Sequence, residues 1–274
     1  MPLIVIPTPV GNMDDITLRA LEELGKADVV ACEDTRHSGL LLKRHGIDAR
    51  LLSYHKHNEA GRSEELLDLL ARDKRVALIS DAGTPGISDP GYEIVRKAVD
   101  EGFEIDVLPG ATAFVPALIL SGLPPHPFLF FGFLSDREGD RIRELTGLKD
   151  IPWTLVFYVS PHKVVRHLES MISVFGDRKS ALVREISKIH QEALRGSLTA
   201  VLRKAESGLK GEMVLVVEGA SVDSGDEEAR WKERALDMAQ KGMSLKDVTS
   251  ILSEELGIPK NPIKKWLLGQ KGIK

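Results

Sequence analysis

The chain of 274 residues has one cysteine, Cys32, which excludes a disulfide framework or a thiolate metal cluster and suits a reducing compartment. Cys32 closes an apolar run and reads as a small buried hydrophobe, not a nucleophile. Aromatic residues are only 5% of the chain, too few for a long base-stacking platform. Basic residues do not outnumber acidic ones: the formal net charge is −4, so affinity for a polyanion must come from a local patch. No apolar run approaches a membrane span, and the opening MPLIVIPTPVGN lacks the basic start and cleavage site of a signal peptide. A soluble, cytoplasmic protein is expected. Neither GxGxxG nor GxxxxGK[ST] occurs, which demotes a nicotinamide dehydrogenase and a P-loop hydrolase.

What is present centres on SDAGTPGISDPG, Ser80 to Gly91, which follows the apolar run Val76–Ile79. Alternating glycine and proline cannot continue a helix or a strand, and twelve residues is long against the roughly two to six of an ordinary βα turn. Such a loop brings bare backbone to a ligand at the carboxyl end of a sheet. Two similar junctions flank it in sequence: PTPVGN after the run Leu3–Ile6, and PGATAF, Pro109 to Phe114, after Ile105–Leu108. Further strands are expected at Asp28–Cys32 and Leu51–Tyr54, with helices from Asp14 or Asp15 to about Gly25, from Glu64 to Ala71, over Tyr92–Glu101, and, buried, over Val115–Leu120. This alternation predicts a largely parallel sheet over residues 1–120, with the loops at 7–12, 80–91 and 109–113 on one rim.

Two charged stretches follow strands. EDTRHS (Glu33, Asp34, Thr35, Arg36, His37) is a site candidate, with a solvated turn holding an Arg–Asp pair as the alternative. HKHNE contains His55 and His57, but no third ligand with zinc-like spacing accompanies them, so no metal is expected.

SGLPPHP, residues 121–127, reads as a hinge into a second α/β region over 128–220. Its strands are expected at FLFFGFL, TLVFYVS, SALVREI and KGEMVLVVEG, with SKIHQEALRGSL as a connection. Arg184, Lys188 and Arg195, placed in loops, are candidates for phosphate contact. Residues 221–230 read as an acidic linker. Beyond it come helices at Trp231–Lys241, at SLKDVTSILSEEL (Ser244 as cap, Asp247 at the capping-box position, Gly257 closing), and at KNPIKKWLL. This module, 231–274, ends basic, with lysines at 260, 264, 265, 271 and 274. It suits either nucleic acid or docking within a dimer.

The ordered set PTPVGN, DITLRALEEL, EDTRHSGLLL, SYHKHNE, SDAGTPGISDPG, PGATA, SGLP, GFL, SPHK, REISKIHQE and KGE resembles the ribosomal RNA small subunit methyltransferase I family. The resemblance spans about residues 3–220 and implies a two-domain, tetrapyrrole-methylase-like α/β fold (class III methyltransferase) with a small C-terminal helical module. It further implies S-adenosylmethionine between the two α/β domains, a homodimer, and methylation of a cytidine ribose 2′-oxygen in the decoding region of 16S rRNA within the small ribosomal subunit. By motif, the cofactor residues are Ala82, Gly83, Thr84 and Ile87, then Thr112 and Ala113, with Val159 and Ile186 from the second region. Gly211 to Met213 is a weaker candidate, and Pro7 is expected near the sulfonium. Two departures stand out. Val159-Ser-Pro-His-Lys163 replaces the family's common ESPHR, removing any polar contact by that glutamate, and Ser187-Lys188 replaces a TK pair.

Methyl transfer needs alignment of donor and acceptor and removal of the hydroxyl proton. Candidates for the proton are Asp34, Glu33, His55, Asp81 and Asp89, with Arg36 on a neighbouring phosphate. Lys264 and Lys265 join Arg184 and Lys188 as RNA contacts. Tyr54, His55 or His57 is expected to stack on one splayed base. The competing readings are a tetrapyrrole or other small-molecule methyltransferase of the same fold, and a ribosome-binding protein with a vestigial cleft.

Overall fold

Segments of three or four residues in the N-terminal half form β1 (Leu3–Val5), β2 (Val29–Cys32), β3 (Arg50–Ser53), β4 (Val76–Leu78) and β5 (Ile105–Val107) in the computed structural model. All pair in parallel, in the order β3-β2-β4-β1-β5. Helices α1 (Leu18–Lys26), α2 (Thr35–Arg44), α3 (Glu59–Ala71) and α4 (Tyr92–Asp100) connect them. A parallel sheet is covered on both faces, which explains why the three central strands β2, β4 and β1 are continuously apolar and buried, whereas the edge strands β3 and β5 carry Arg50, Ser53 and Asp106. Leu3, Val5, Val29, Ala31 and Leu52 pack with Leu66 and Leu70 of α3 and Ile94 of α4. Ile4, Ile6, Val30, Cys32 and Ala77 pack with Leu24 of α1 and Leu42 of α2. Burial pushes the Cys32 thiol pKa up, consistent with a packing role.

The second sheet comprises β6 (Phe128–Phe133), β7 (Thr154–Val159), β8 (Lys179–Arg184), β9 (Glu192–Ser197) and β10 (Met213–Val217), in the order β6-β7-β10-β8-β9. Only β6 and β7 run parallel; the other pairs are antiparallel. One face packs against α6 (Glu138–Leu148), α7 (Val164–Phe175) and α8 (Leu198–Ala205). The opposite face packs against Ala117 and Leu118 of α5 (Phe114–Ser121). The chain therefore changes sheets ahead of α5. A boundary at residue 120 divides the strands of the two sheets but not their packing, and both belong to one compact unit, Met1–Ala220.

β9 forms where the sequence predicts a connection. Its residues EALRGS lack β-branched side chains, and it forms as an edge strand through six-residue pairing with β8. Arg195 accordingly lies in a strand rather than a loop, and its Nε donates to the Leu120 carbonyl (2.9 Å).

The structure describes residues 1–221, 224–256 and 259–270, with backbone alone over 224–230. The second unit, Ser221–Lys274, contains α9 (Ser224–Gln240), α10 (Leu245–Leu256) and α11 (Lys260–Leu268). Trp231, Ala235, Val248, Leu252, Ile263 and Leu267 form its core. The first of these helices begins seven residues before the expected Trp231. The acidic composition of 224–230 suits the positive end of a helix as well as it suits a linker. Ser244 caps α10 by accepting the Asp247 N–H (3.2 Å) and donating to the Asp247 carboxylate (2.6 Å). Gly257, Lys271 and Lys274 lie outside the described residues.

Candidate active site

Because β4, β1 and β5 are neighbours, the loops leaving their carboxyl ends start side by side. Thr8 and Gly83 exchange both backbone hydrogen bonds (2.8 and 2.9 Å), and the buried Thr8 hydroxyl donates to the Ser80 carbonyl (2.9 Å). The Thr84 hydroxyl donates to the Ala111 carbonyl (3.0 Å), joining the central loop to PGATA. Gly83 sits at φ 83°, where a β-carbon is strained, so the central loop turns here at little cost. The three loops converge as their composition predicts.

The N-terminal loop also meets the second sheet. A β-carbon on Gly11 would lie 2.3 Å from the Ile186 carbonyl oxygen, so only glycine allows this approach. Nearby, the Ser187 hydroxyl donates to the Asp15 carboxylate. Glu185 and Ser187 both adopt positive φ (51° and 63°), which marks the turn after β8 as a strained segment.

Between these loops and the ends of β6, β7 and β10 lies a cleft of about 300 Å³. Its first side comprises Val10, Asp81, Ala82, Gly83, Thr84, Ile87, Ser88, Asp89, Thr112 and Ala113. Its second side comprises Phe133, Tyr158, Val159, Ser160, Pro161, Ile186, Glu212, Met213 and Val214. Eight of the nine expected cofactor residues thus line one cavity: Ala82, Gly83, Thr84, Ile87, Thr112, Ala113, Val159 and Ile186. Pro7 does not; its ring lies against Gly110.

Carboxylates concentrate here. Burial, then the charges of Glu33, Asp81 and Glu212, push the Asp89 pKa up to about 7. Burial followed by Asp81 raises the Glu33 pKa as well. Burial lifts the Tyr158 phenol to about 12.

The other candidates are placed differently. Asp34 caps α2 by accepting the Arg36 N–H (2.8 Å), and it pairs with the Arg36 guanidinium (2.8 Å). This holds its carboxyl well below the ordinary range. The Asp34 N–H donates to Asp81 Oδ1 (3.1 Å), so EDTR abuts the cleft although Glu33, Asp34 and Arg36 do not line it. The Arg36 side chain is 90% exposed.

His55 is held by Asn58, whose side-chain nitrogen lies 3.3 Å from its Nε2, and it does not line the cleft. Tyr54, expected as a stacking surface, is 1% exposed with its hydroxyl 3.2 Å from Ser63 Oγ; it is a core residue. His57 remains exposed. Among the described residues no three His, Cys, Asp or Glu side chains come together as metal ligands. Among them, too, no helix is long and apolar enough to cross a membrane.

Arg184 pairs with Glu192 (2.7 Å). Lys188 bridges Glu185 (3.0 Å) and Glu212 (3.2 Å). Both basic side chains therefore brace the second side through internal ion pairs. Lys264 and Lys265 are exposed on α11.

The family model for Tetrapyrrole (Corrin/Porphyrin) Methylases matches residues 2–202. The chain is 44% identical over 263 residues to ribosomal RNA small subunit methyltransferase I of Micromonospora olivasterospora, covering 94% of this chain and 84% of that protein. It is 38% identical over 268 residues to the protein of that name from Bacillus subtilis (95% and 92% covered). The chain belongs to the ribosomal RNA small subunit methyltransferase I family.

Its fold is shared by the solved uroporphyrin-III-C-methyltransferase from Thermus thermophilus, with TM-score 0.59, 23% identity, and coverage of 79% of this chain and 94% of that one. Within the methyltransferase I fold, the residues not foreseen from sequence are Val10, Ser88, Phe133, Tyr158, Ser160, Pro161 and Val214. Most sit at strand ends of the second sheet. The order β6-β7-β10 brings them together from segments about 80 residues apart, and no local pattern announces that order.

Proposed function

We propose that this chain transfers a methyl group from S-adenosylmethionine to the ribose 2′-oxygen of a cytidine in the decoding region of 16S rRNA, acting on the small ribosomal subunit. The observation that carries this reading is the open cleft formed where the three Gly/Pro loops meet the second sheet, in a chain so similar to small-subunit rRNA methyltransferases. The cytidine and the 2′-oxygen rest on the motif set.

The cleft suits the donor chemically. Ala82, Gly83, Thr112 and Ala113 offer backbone and small side chains, Ile87, Val159, Ile186 and Met213 offer an apolar surface for a flat base, and the Asp81 carboxylate favours a cation. When bound, S-adenosylmethionine supplies a methyl on a positively charged sulfur, which keeps the carbon–sulfur electron pair as the methyl departs. The protein's own tasks are alignment, which the cross-linked loops perform, and removal of the acceptor hydroxyl's proton. Arg36, Lys264 and Lys265 offer exposed positive charge to phosphates, whereas Arg184 and Lys188 hold the second side in place.

A homodimer is part of the same proposal. Val115 and Ile119 lie one turn apart on α5 and are 48% and 66% exposed, and Phe128 of edge strand β6, 39% exposed, lies against Phe114 at the start of the same helix. Cover by a second copy removes this apolar surface from water. Sedimentation of the intact chain at micromolar concentration checks it, with a dimer mass expected.

The test of the activity is incubation with tritiated methyl donor and undermethylated 30S particles, naked 16S rRNA or a precorrin, followed by mapping of the label. Label on a cytidine ribose of 30S particles is the expected outcome. Label on the precorrin, or on no substrate, contradicts the proposal.

A further inference from the structure

Asp89 faces the cleft with no hydrogen bond or ion pair from the described residues, and no other acid or base candidate there shares that state. Asp34 is committed to Arg36 and the start of α2, and Asp81 accepts the Asp34 N–H. Glu212 holds Lys188, while Glu33 and His55 lie outside the lining. The position of Asp89 is built into the loop. Ser88 before it adopts φ 67°, with its hydroxyl against Gly132 of β6, so the turn is propped on the second sheet.

We propose that Asp89 is the carboxylate that takes the proton from the acceptor hydroxyl, an inference that rests on the methyl transfer proposed above. The proton leaves the hydroxyl oxygen for an Asp89 Oδ as that oxygen's electron pair bonds to the arriving methyl carbon, whose former bonding pair stays with the donor. Protonated Asp89 then returns its proton to water. The groups facing Asp89 are Glu33 at the end of β2, Asp81 in its own loop, Glu212 before β10, and the phenol of Tyr158 on β7. Burial and these negative charges place its titration at about 7, where a base is both available and strong enough to act.

The test compares wild type, D89N and E33Q by three readouts: ¹³C-carboxyl NMR titration of the ligand-free protein, calorimetric binding of S-adenosylhomocysteine, and single-turnover transfer to undermethylated 30S particles against pH. The inference expects an Asp89 carboxyl resonance, absent in D89N, that titrates near 7. D89N should bind S-adenosylhomocysteine within about threefold of wild type yet lose about a hundredfold or more in transfer, as for loss of a general base. In E33Q both the resonance and the ascending limb of the rate profile should move to lower pH. Transfer by D89N within about tenfold of wild type, or titration of Asp89 in the ordinary carboxylate range, overturns the assignment alone. A wild-type protein that labels no RNA overturns the functional reading and the assignment with it.

Discussion

The two sheets of the N-terminal unit build the cleft by different means. The parallel sheet contributes loops whose hydrogen bonds run from backbone to backbone or hydroxyl to backbone, as between Thr8 and Gly83 or Thr84 and Ala111. The mixed sheet contributes side chains at strand ends: Phe133, Tyr158, Val159 and Met213, braced by the Glu185–Lys188–Glu212 ion pairs. The loop side supplies most of the close backbone, and the strand-end side supplies most of the large apolar side chains. A donor carrying both a cation and a flat base needs both kinds. Displaced titratable groups occur on both sides, among them Asp89, upward on the loop side, and His167, downward on α7.

The comparison breaks most sharply at Gly11, where the two sides touch. Gly11→Ala puts a β-carbon into the Ile186 carbonyl, and forcing these segments apart costs about 2 kcal/mol. S-adenosylhomocysteine affinity measured by calorimetry is expected to fall about 30-fold, the equivalent of that cost. Ile186→Ala acts on the apolar side alone. It should weaken the same binding about tenfold and lower stability to urea by about 2 kcal/mol, as for a truncated buried isoleucine.

Stability against pH separates the two sides by sign. Asp89 is raised from 3.8 to about 7, so the folded state holds a proton that the unfolded state has lost; its contribution is full below about 4 and disappears as pH rises through 7. His167 is buried, with neither ring nitrogen hydrogen-bonded among the described residues. Burial first, then Arg141, lowers its pKa from 6.5 to about 4. Its contribution is full above about 6.5 and lost as pH falls through 4. Urea midpoints should show D89N flattening the first dependence and His167→Leu the second. Thr84→Val should have the smallest effect, about 1 kcal/mol in the same measurement, from one lost hydroxyl–carbonyl bond between two loops.

Much of the loop side was legible in sequence because its information is local. The central parallel strands, buried on both faces, read as unbroken apolar runs, and glycine–proline punctuation after β1, β4 and β5 marks where the chain must leave the sheet. The second side was less legible. Val159 and Ile186 came from motif resemblance, while Phe133 and Tyr158 depend on a strand order that links distant segments. β9 escaped because edge pairing, not β-propensity, makes EALRGS a strand. Nor could sequence rank the carboxylates. Asp34 and Asp81 look as available as Asp89 until their hydrogen-bond partners are known. Arg184 and Lys188 likewise read as free for phosphate, because no local pattern shows that Glu192, Glu185 and Glu212 lie beside them.

The most direct test of the central claim is a crystal structure of the intact chain grown with S-adenosylhomocysteine. The account predicts density for that molecule between the 80–91 and 109–113 loops on one side and Val159, Ile186 and Met213 on the other. Density for it elsewhere on the protein, with this cleft holding only solvent, would contradict the account.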